Sequence, residues 1–229
     1  MSKNVVIVHY NTPELTEAAI RSLNKVTEGC KVYVFDNSEV RPFKARIHNV
    51  EVIDNTHGQL VNFDEMLAGF PDKVQNRSNW GSAKHCKSVD YCFDLFPKGF
   101  VLMDSDVLIQ RDIWQLFDAG CAWVGGVHTN TLRFGLEIMR VIPYLCWLNV
   151  PMLKKSGIRY FNPEKMWFLS SMTPNMYYDT GAWLYEETMK KNLPHRCVVI
   201  SDYAVHFRHG SWREKDEHNW LEENKKLWQ

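Results

Sequence analysis

Phe100-Val101-Leu102-Met103-Asp104-Ser105-Asp106 runs four apolar residues straight into two carboxylates one residue apart. A short, unbroken apolar run of this kind reads as a strand buried on both faces. In open α/β sheets the chemistry sits beyond the carboxyl ends of such strands. Asp104 and Asp106 stand at that end. Two carboxylates so close disfavour each other's ionised form. A divalent cation removes that cost, and oxygen ligands suit Mg²⁺ or Mn²⁺. The cation in turn would hold a diphosphate. A pair of solvated turn aspartates fits the same residues, because Asp-x-Asp is short and common. The flanking stretches must decide.

Upstream, Val5-Val-Ile-Val8 is a second buried-strand candidate, ending in His9-Tyr10-Asn11. Thr12 and Pro13 then open a helix, Thr12 as N-cap and Pro13 at N1. Leu15, Ala18, Ala19, Leu23 and Val26 supply its buried stripe. Lys31 to Phe35 is the next strand, ending in Asp36-Asn37-Ser38. Strand, helix, strand with polar residues at both strand ends is a βαβ unit on a parallel sheet. Asn49 to Ile53 is a third strand candidate; residues 56–73 are mixed. Asn76 to Gly81 is a turn-rich loop before a helix with Ala83, Cys86, Val89, Phe93 and Phe96 on one side. The start of that helix, with Lys84 in its first turns, suits an anion. Neither Gly-x-Gly-x-x-Gly nor a Walker-type Gly-x-x-x-x-Gly-Lys-Ser/Thr is present, which disfavours a dinucleotide site and a P-loop.

Downstream, Val107 to Ile109 reads as extended and Asp112 to Phe117 as a helix. Cys121 to Val124 reads as a strand ending in Gly125-Gly126. Leu132 to Leu153 is apolar and aromatic, interrupted by Pro143 and Pro151, and reads as core in preference to an acceptor-facing surface. Met176-Tyr-Tyr-Asp179-Thr-Gly181 precedes a helix over 182–191, and Cys197 to Ile200 reads as a strand. Val205-His206-Phe-Arg-His209-Gly-Ser-Trp212 leads to a charged tail over 213–229, expected to be helical with Trp220, Leu221 and Trp228 on its apolar side.

At 229 residues the chain suits one domain, with ordinary apolar (45%) and charged (24%) content. Lys plus Arg and Asp plus Glu are 27 each, so net charge is zero and nothing suggests a protein held to nucleic acid by bulk electrostatics. No stretch reaches the length of a membrane span, and the apolar run at residues 5–8 is too short for a signal peptide. The six cysteines form no Cys-x-x-Cys pair and read as reduced thiols. The expected setting is therefore cytoplasmic, with peripheral membrane contact at most.

The order of these motifs, Tyr10-Asn11, Asp36-Asn37-Ser38, Asn79-x-Gly81-x-x-Lys84 and Asp104-Ser-Asp106, resembles the GT-A type glycosyltransferases, in particular the large inverting family 2 and its bacterial relatives. The likeness covers residues 4–125 and, more loosely, 176–212. It implies an α/β, Rossmann-like fold whose mostly parallel central sheet is flanked by helices. It implies a single domain with a nucleotide-binding half (1–125), an acceptor-binding half (126–212) and a helical tail (213–229). It implies transfer of a sugar, with inversion, from a nucleoside-diphosphate sugar, a UDP-sugar by preference, to a hydroxyl of a glycan or lipid-linked saccharide in surface-polysaccharide assembly. By the same resemblance Tyr10 and Asn11 touch the nucleotide, and Asp36 accepts a hydrogen bond from the pyrimidine. Asn79, Gly81 and Lys84 close on base, ribose or diphosphate. Asp104 and Asp106 form the Asp-x-Asp motif, holding Mn²⁺ or Mg²⁺, with Asp104 also able to meet sugar or ribose. His206 or His209 completes the metal shell, and Asp179 serves as the base. Cys86 departs from the asparagine often found near that position, and Tyr178-Asp179 from the usual Glu-Asp. Two other functions remain open: a haloacid-dehalogenase-like phosphatase, whose Asp-x-Asp would normally lie on the first strand, and a sugar-nucleotide-binding module without catalysis.

Overall fold

A computed structural model describes residues 3–68, 80–131, 137–163, 165, 179–207 and 214–229. In chain order the elements begin with β1 (Asn4–His9), α1 (Pro13–Val26), β2 (Lys31–Asp36) and β3 (Val50–Asp54). Next come α2 (Phe63–Ala68), α3 (Trp80–Leu95), β4 (Phe100–Asp104) and β5 (Val107–Ile109). Then follow β6 (Trp123–Thr131), β7 (Glu137–Leu148), α4 (Val150–Lys155) and α5 (Ala182–Lys190). Last are β8 (Arg196–Cys197), β9 (Ala204–His206), α6 (Glu214–Glu223) and α7 (Lys225–Trp228).

Seven strands form one sheet in the order β3-β2-β1-β4-β7-β6-β8. β1 pairs in parallel with β2 and β4, β2 with β3, and β6 with β8. Only β7 is reversed, antiparallel to both β4 and β6. The α/β class and the mostly parallel sheet are as expected from the apolar runs.

Strand alternation sorts the core into two layers. Val6, Phe35, Phe100 and Leu102 pack with Ala83, Cys86, Val89 and Phe93 of α3. Val5, Ile7, Val101 and Met103 pack with Ala19, Ile20 and Leu23 of α1 on the other face. α1 starts where Thr12 and Pro13 place it, although the Thr12 hydroxyl makes no cap bond. A smaller cluster joins Leu15 and Ala18 of α1 to Leu108 and Leu221, with Trp220 and Trp228 beside them. The tail thus lies helical against α1 and β5, using the aromatic residues expected of it.

The structure differs from the sequence reading at four places. β6 does not end at Gly125-Gly126 but continues to Thr131. A Cβ at Gly126 would lie 2.7 Å from side-chain carbons of both Ile142 and Ile200, so glycine there admits close packing without ending the strand. Residues 137–148 form one long strand straight through Pro143. Partners Gly125↔Cys146 and Val127↔Val141 leave residues 142–145 opposite Gly126 alone, and pairing with β4 runs only from Leu145 onward. Pro143 therefore falls where the ladder is interrupted, and its missing N–H costs no strand bond. Asp112 to Phe117 yields only a 3₁₀ turn at Trp114–Leu116. Asp112 Oδ1 accepts from the Trp114 N–H at 3.1 Å, a local bond that competes with a helix too short to persist unaided. The expected strand over 197–200 is likewise reduced to Arg196–Cys197, followed by a 3₁₀ turn at Ile200–Asp202.

Candidate active site

β4 carries Phe100 and Leu102 on its α3 face, and Asp104 is the next residue in that alternation. Ser105 turns the chain, and Asp106 leads into β5, which pairs with β9 in a separate two-stranded ribbon. Val107 lies opposite His206 there, and the Phe207 N–H donates to the Asp106 carbonyl at 2.9 Å. One ligand atom each from Asp104, Asp106 and His206 therefore fall within 4.8 Å of one another. His206 Nε2 is 3.3 Å from Asp106 Oδ1, and the His206 ring stacks on Tyr144 of β7 at 4.2 Å between centroids.

Electrostatics separates the two acids. Burial pushes the Asp106 carboxyl above its ordinary value; His206 pulls it down, and the charge of Asp104 adds to the rise. Burial also acts upward on Asp104, but the hydrogen bond with His85 and the charges of His206 and Arg140 outweigh it and hold that carboxyl below its ordinary value. Two carboxylates and an imidazole, with like charges crowded at a buried strand end, form a donor set that fits Mn²⁺ or Mg²⁺.

The loops after β1 and β2 lie together. Asn11 sits at φ 56°, and its Oδ1 accepts from the Val40 and Arg41 N–H groups at 3.0 and 2.9 Å. Asp36 is buried, with Oδ1 accepting from the Ser38 N–H (2.9 Å) and Oδ2 from the Phe43 N–H (2.7 Å). Its two oxygens thus shape the loop that Asn11 also holds. Tyr10 is exposed, and Lys84 Nζ lies 5.4 Å from its ring centre while donating to Glu39 Oε1 at 2.9 Å. That hydrogen bond with Lys84 holds the Glu39 carboxyl below its usual value. α3 begins at Trp80, so Gly81 and Lys84 belong to its first turns and not to the preceding loop. Asn79 and His209 lie outside the described residues.

Asp179 is not among the clustered metal-ligand candidates. Its Oδ1 accepts from Ser82 Oγ (2.9 Å) and the Thr180 N–H (2.7 Å), and its Oδ2 from Arg140 Nη1. It therefore joins α3, β7 and the start of α5. Gly181 makes that junction possible: at φ 81°, any Cβ would come 2.0 Å from the Val141 carbonyl oxygen. Cys86, Tyr160, Lys165 and Trp183 line a small cavity with Asp179.

Four site residues escaped the sequence reading: Ser82, His85, Arg140 and Tyr144. His85 had a legible signal, since His85, Val89 and Cys92 recur at i, i+4, i+7 on the core side of α3. Arg140 and Tyr144 lie on β7, a strand hidden by Pro143.

No family model and no curated protein matches this sequence. Among solved structures, the chain is similar to the galactosyltransferase LgtC in complex with donor and acceptor sugar analogs: 15% identity, 79% of this chain and 69% of that one, TM-score 0.48. It is similar to mouse xyloside xylosyltransferase 1, at 10% identity over 87% of this chain and 86% of that one, TM-score 0.48. A third similar structure is the mannosyltransferase PcManGT from Pyrobaculum calidifontis with GDP-Man and Mn²⁺, at 12% identity and TM-score 0.46. The match covers 86% of this chain and 54% of that one. The chain also spans about half the length of the glycosyltransferase GlyE from Streptococcus pneumoniae TIGR4, which it matches over 51% of that chain.

Proposed function

We propose that this protein is a metal-dependent glycosyltransferase that moves a sugar from a nucleoside-diphosphate sugar, a UDP-sugar by preference, to a hydroxyl of a glycan or lipid-linked saccharide. The observation that carries it is the convergence of Asp104, Asp106 and His206 at the carboxyl end of β4, in a sheet of the kind whose ligands sit at that edge. Those three side chains would hold Mn²⁺ or Mg²⁺. A divalent cation there supplies charge neutralisation for a leaving diphosphate.

The chain's own groups would do the rest. Lys84 would exchange Glu39 for a donor phosphate, adding positive charge at the diphosphate. Tyr10 offers an exposed ring to the base, and Asn11 and Asp36 hold the loop over 38–43 against which the base would lie. Asp179 would accept the proton of the acceptor hydroxyl, with Arg140 and Ser82 fixing its orientation, and attack from the far side would invert the anomeric carbon. Asn79 and, as an alternative metal ligand, His209 complete the proposed set. A cytoplasmic setting with peripheral contact at a membrane face suits a lipid-linked acceptor; no helix among the described residues is long and apolar enough to cross a membrane.

Calorimetry with UDP, GDP and TDP, each with and without Mn²⁺, tests this on wild type and Asp106→Ala. Metal-dependent binding of one nucleotide, lost in the variant, is the expected result. No binding of any nucleotide by folded protein in the presence of metal would move a phosphatase to first place.

A further inference from the structure

Each carboxylate of the Asp-x-Asp has its own histidine. His206 Nε2 is 3.3 Å from Asp106 Oδ1, and His85 Nε2 is 3.2 Å from Asp104 Oδ1. The two histidines arrive from opposite directions. His206 comes from β9 and belongs to the cluster whose ligand atoms lie within 4.8 Å of one another; His85 comes from α3 and does not. We infer that His85 is a positioning residue, which acts through Asp104 to orient that carboxylate for the cation that Asp104, Asp106 and His206 would hold. This rests on the metal reading above.

Local geometry explains why His85 reaches Asp104, with Tyr160 beside its ring at 6.5 Å between centroids. His85 stands one turn before Val89 on the stripe of α3 that packs against the sheet, and Val89 and Cys92 are fully buried. Asp104 follows Phe100 and Leu102 on the face of β4 turned to that stripe. His85 thus occupies the end of the helix stripe just where the strand face ceases to be apolar.

The ring's remaining polar atom makes the case sharper. Nδ1 of His85 is buried and, among the described residues, makes no hydrogen bond. A buried polar atom left unpaired costs ~1–3 kcal/mol, and a leucine at this position would avoid that cost. Packing alone does not account for an imidazole here. Its Nε2 does: to donate to a carboxylate it must carry the proton, which fixes the Nε2–H tautomer and leaves Nδ1 bare. With Oδ1 of Asp104 engaged by His85, Oδ2 would be the oxygen left for a cation. Carboxylates that bind metals are commonly held by such a partner, and its removal costs ~10–100-fold in metal affinity.

Mn²⁺ titration of the whole chain without nucleotide, read from the electron paramagnetic resonance signal of free Mn²⁺, tests the inference. The variants are His85→Leu, His85→Gln and His85→Asn, with thermal midpoints recorded alongside. Glutamine carries an amide N–H to about the position of Nε2, whereas asparagine is too short. His85→Leu and His85→Asn are expected to weaken Mn²⁺ binding ~10–100-fold, and His85→Gln to stay near wild type. If leucine does not yield folded protein, the glutamine-against-asparagine comparison decides alone. Unchanged affinity in His85→Leu or His85→Asn overturns the inference. So do equal losses in glutamine and asparagine variants that track their thermal midpoints, because that is the pattern of a packing role. Wild type that binds no Mn²⁺ overturns the metal reading itself, and this inference with it; wild type that binds while His85→Leu and His85→Asn bind equally well overturns only the role of His85.

Discussion

The hydroxyls of Thr12 and Ser105 lie 3.2 Å apart, both side chains buried, and fasten the start of α1 to the residue between the two site carboxylates. Thr12 occupies the N-cap position but spends its hydroxyl on this contact instead of on the helix. Ser105→Ala should strand the Thr12 hydroxyl and cost ~1–3 kcal/mol. Adding Thr12→Val should recover part of that loss, giving a coupling of ~1 kcal/mol in a urea-denaturation cycle. Strictly additive costs would mean that the two hydroxyls do not interact.

Tyr144 sets the plane of His206, with their rings 15° from parallel. A stacked pair of this kind is worth ~0.5–1.5 kcal/mol. Tyr144→Ala should therefore weaken Mn²⁺ binding by ~2–12-fold, less than His206→Ala, while Tyr144→Phe keeps the affinity. If phenylalanine loses as much as alanine, the hydroxyl and not the ring face is what matters.

Asp179 and Arg140 form a pair about one-fifth exposed on each side. Asp179→Asn should leave nucleotide binding near normal and cut turnover sharply. It should also destabilise the fold by ~3 kcal/mol, because the Arg140 charge loses its partner. Arg140→Met on top should restore stability. Turnover that stays low in the stable double variant places Asp179 in the chemistry; turnover that returns with stability leaves it only a structural partner.

Asp94 offers a pH test away from the site. Hydrogen bonds from Arg159 and Lys154 hold its carboxyl down to about 2. A depressed carboxyl stabilises the fold above its unfolded value of ~3.9, and that contribution disappears as pH falls through about 2. The side chain is 61% exposed, so solvent screening limits the contribution to ~0.2–1 kcal/mol. Asp94→Asn should lower the thermal midpoint by ~1–3 °C at pH 7, with the gap closing between pH ~4 and ~2. A gap that persists at the acid end would assign the effect to something other than ionisation.

How far the sequence led depended on whether hydrophobic period and punctuation agreed. β1, β2 and β4 were legible to within a residue because each is a continuous apolar run ending in polar residues. α1 was legible because Thr12-Pro13 and a regular stripe point to the same start. β7 was hidden because proline usually argues against an interior strand, and nothing local reveals that Pro143 meets a gap in the ladder. Gly125-Gly126 looked like a terminator but serves close packing within β6. Asp104, Asp106 and His206 were legible as candidate ligands, and the fold brings them together, whereas Arg140 and Tyr144 depended on seeing β7. Asp36 was expected to accept from a base; both its oxygens also receive backbone N–H groups, a local partnership that no motif announces.

The placement of Gly125 and Gly126 inside β6 has a consequence for dissecting the protein. A cut between them would fall in the middle of a paired strand. One fragment would carry away both acids, the other their imidazole and the ring that steadies it. Mixing the fragments would then be a complementation assay in which recovered cation binding reports that the severed strand has been rejoined.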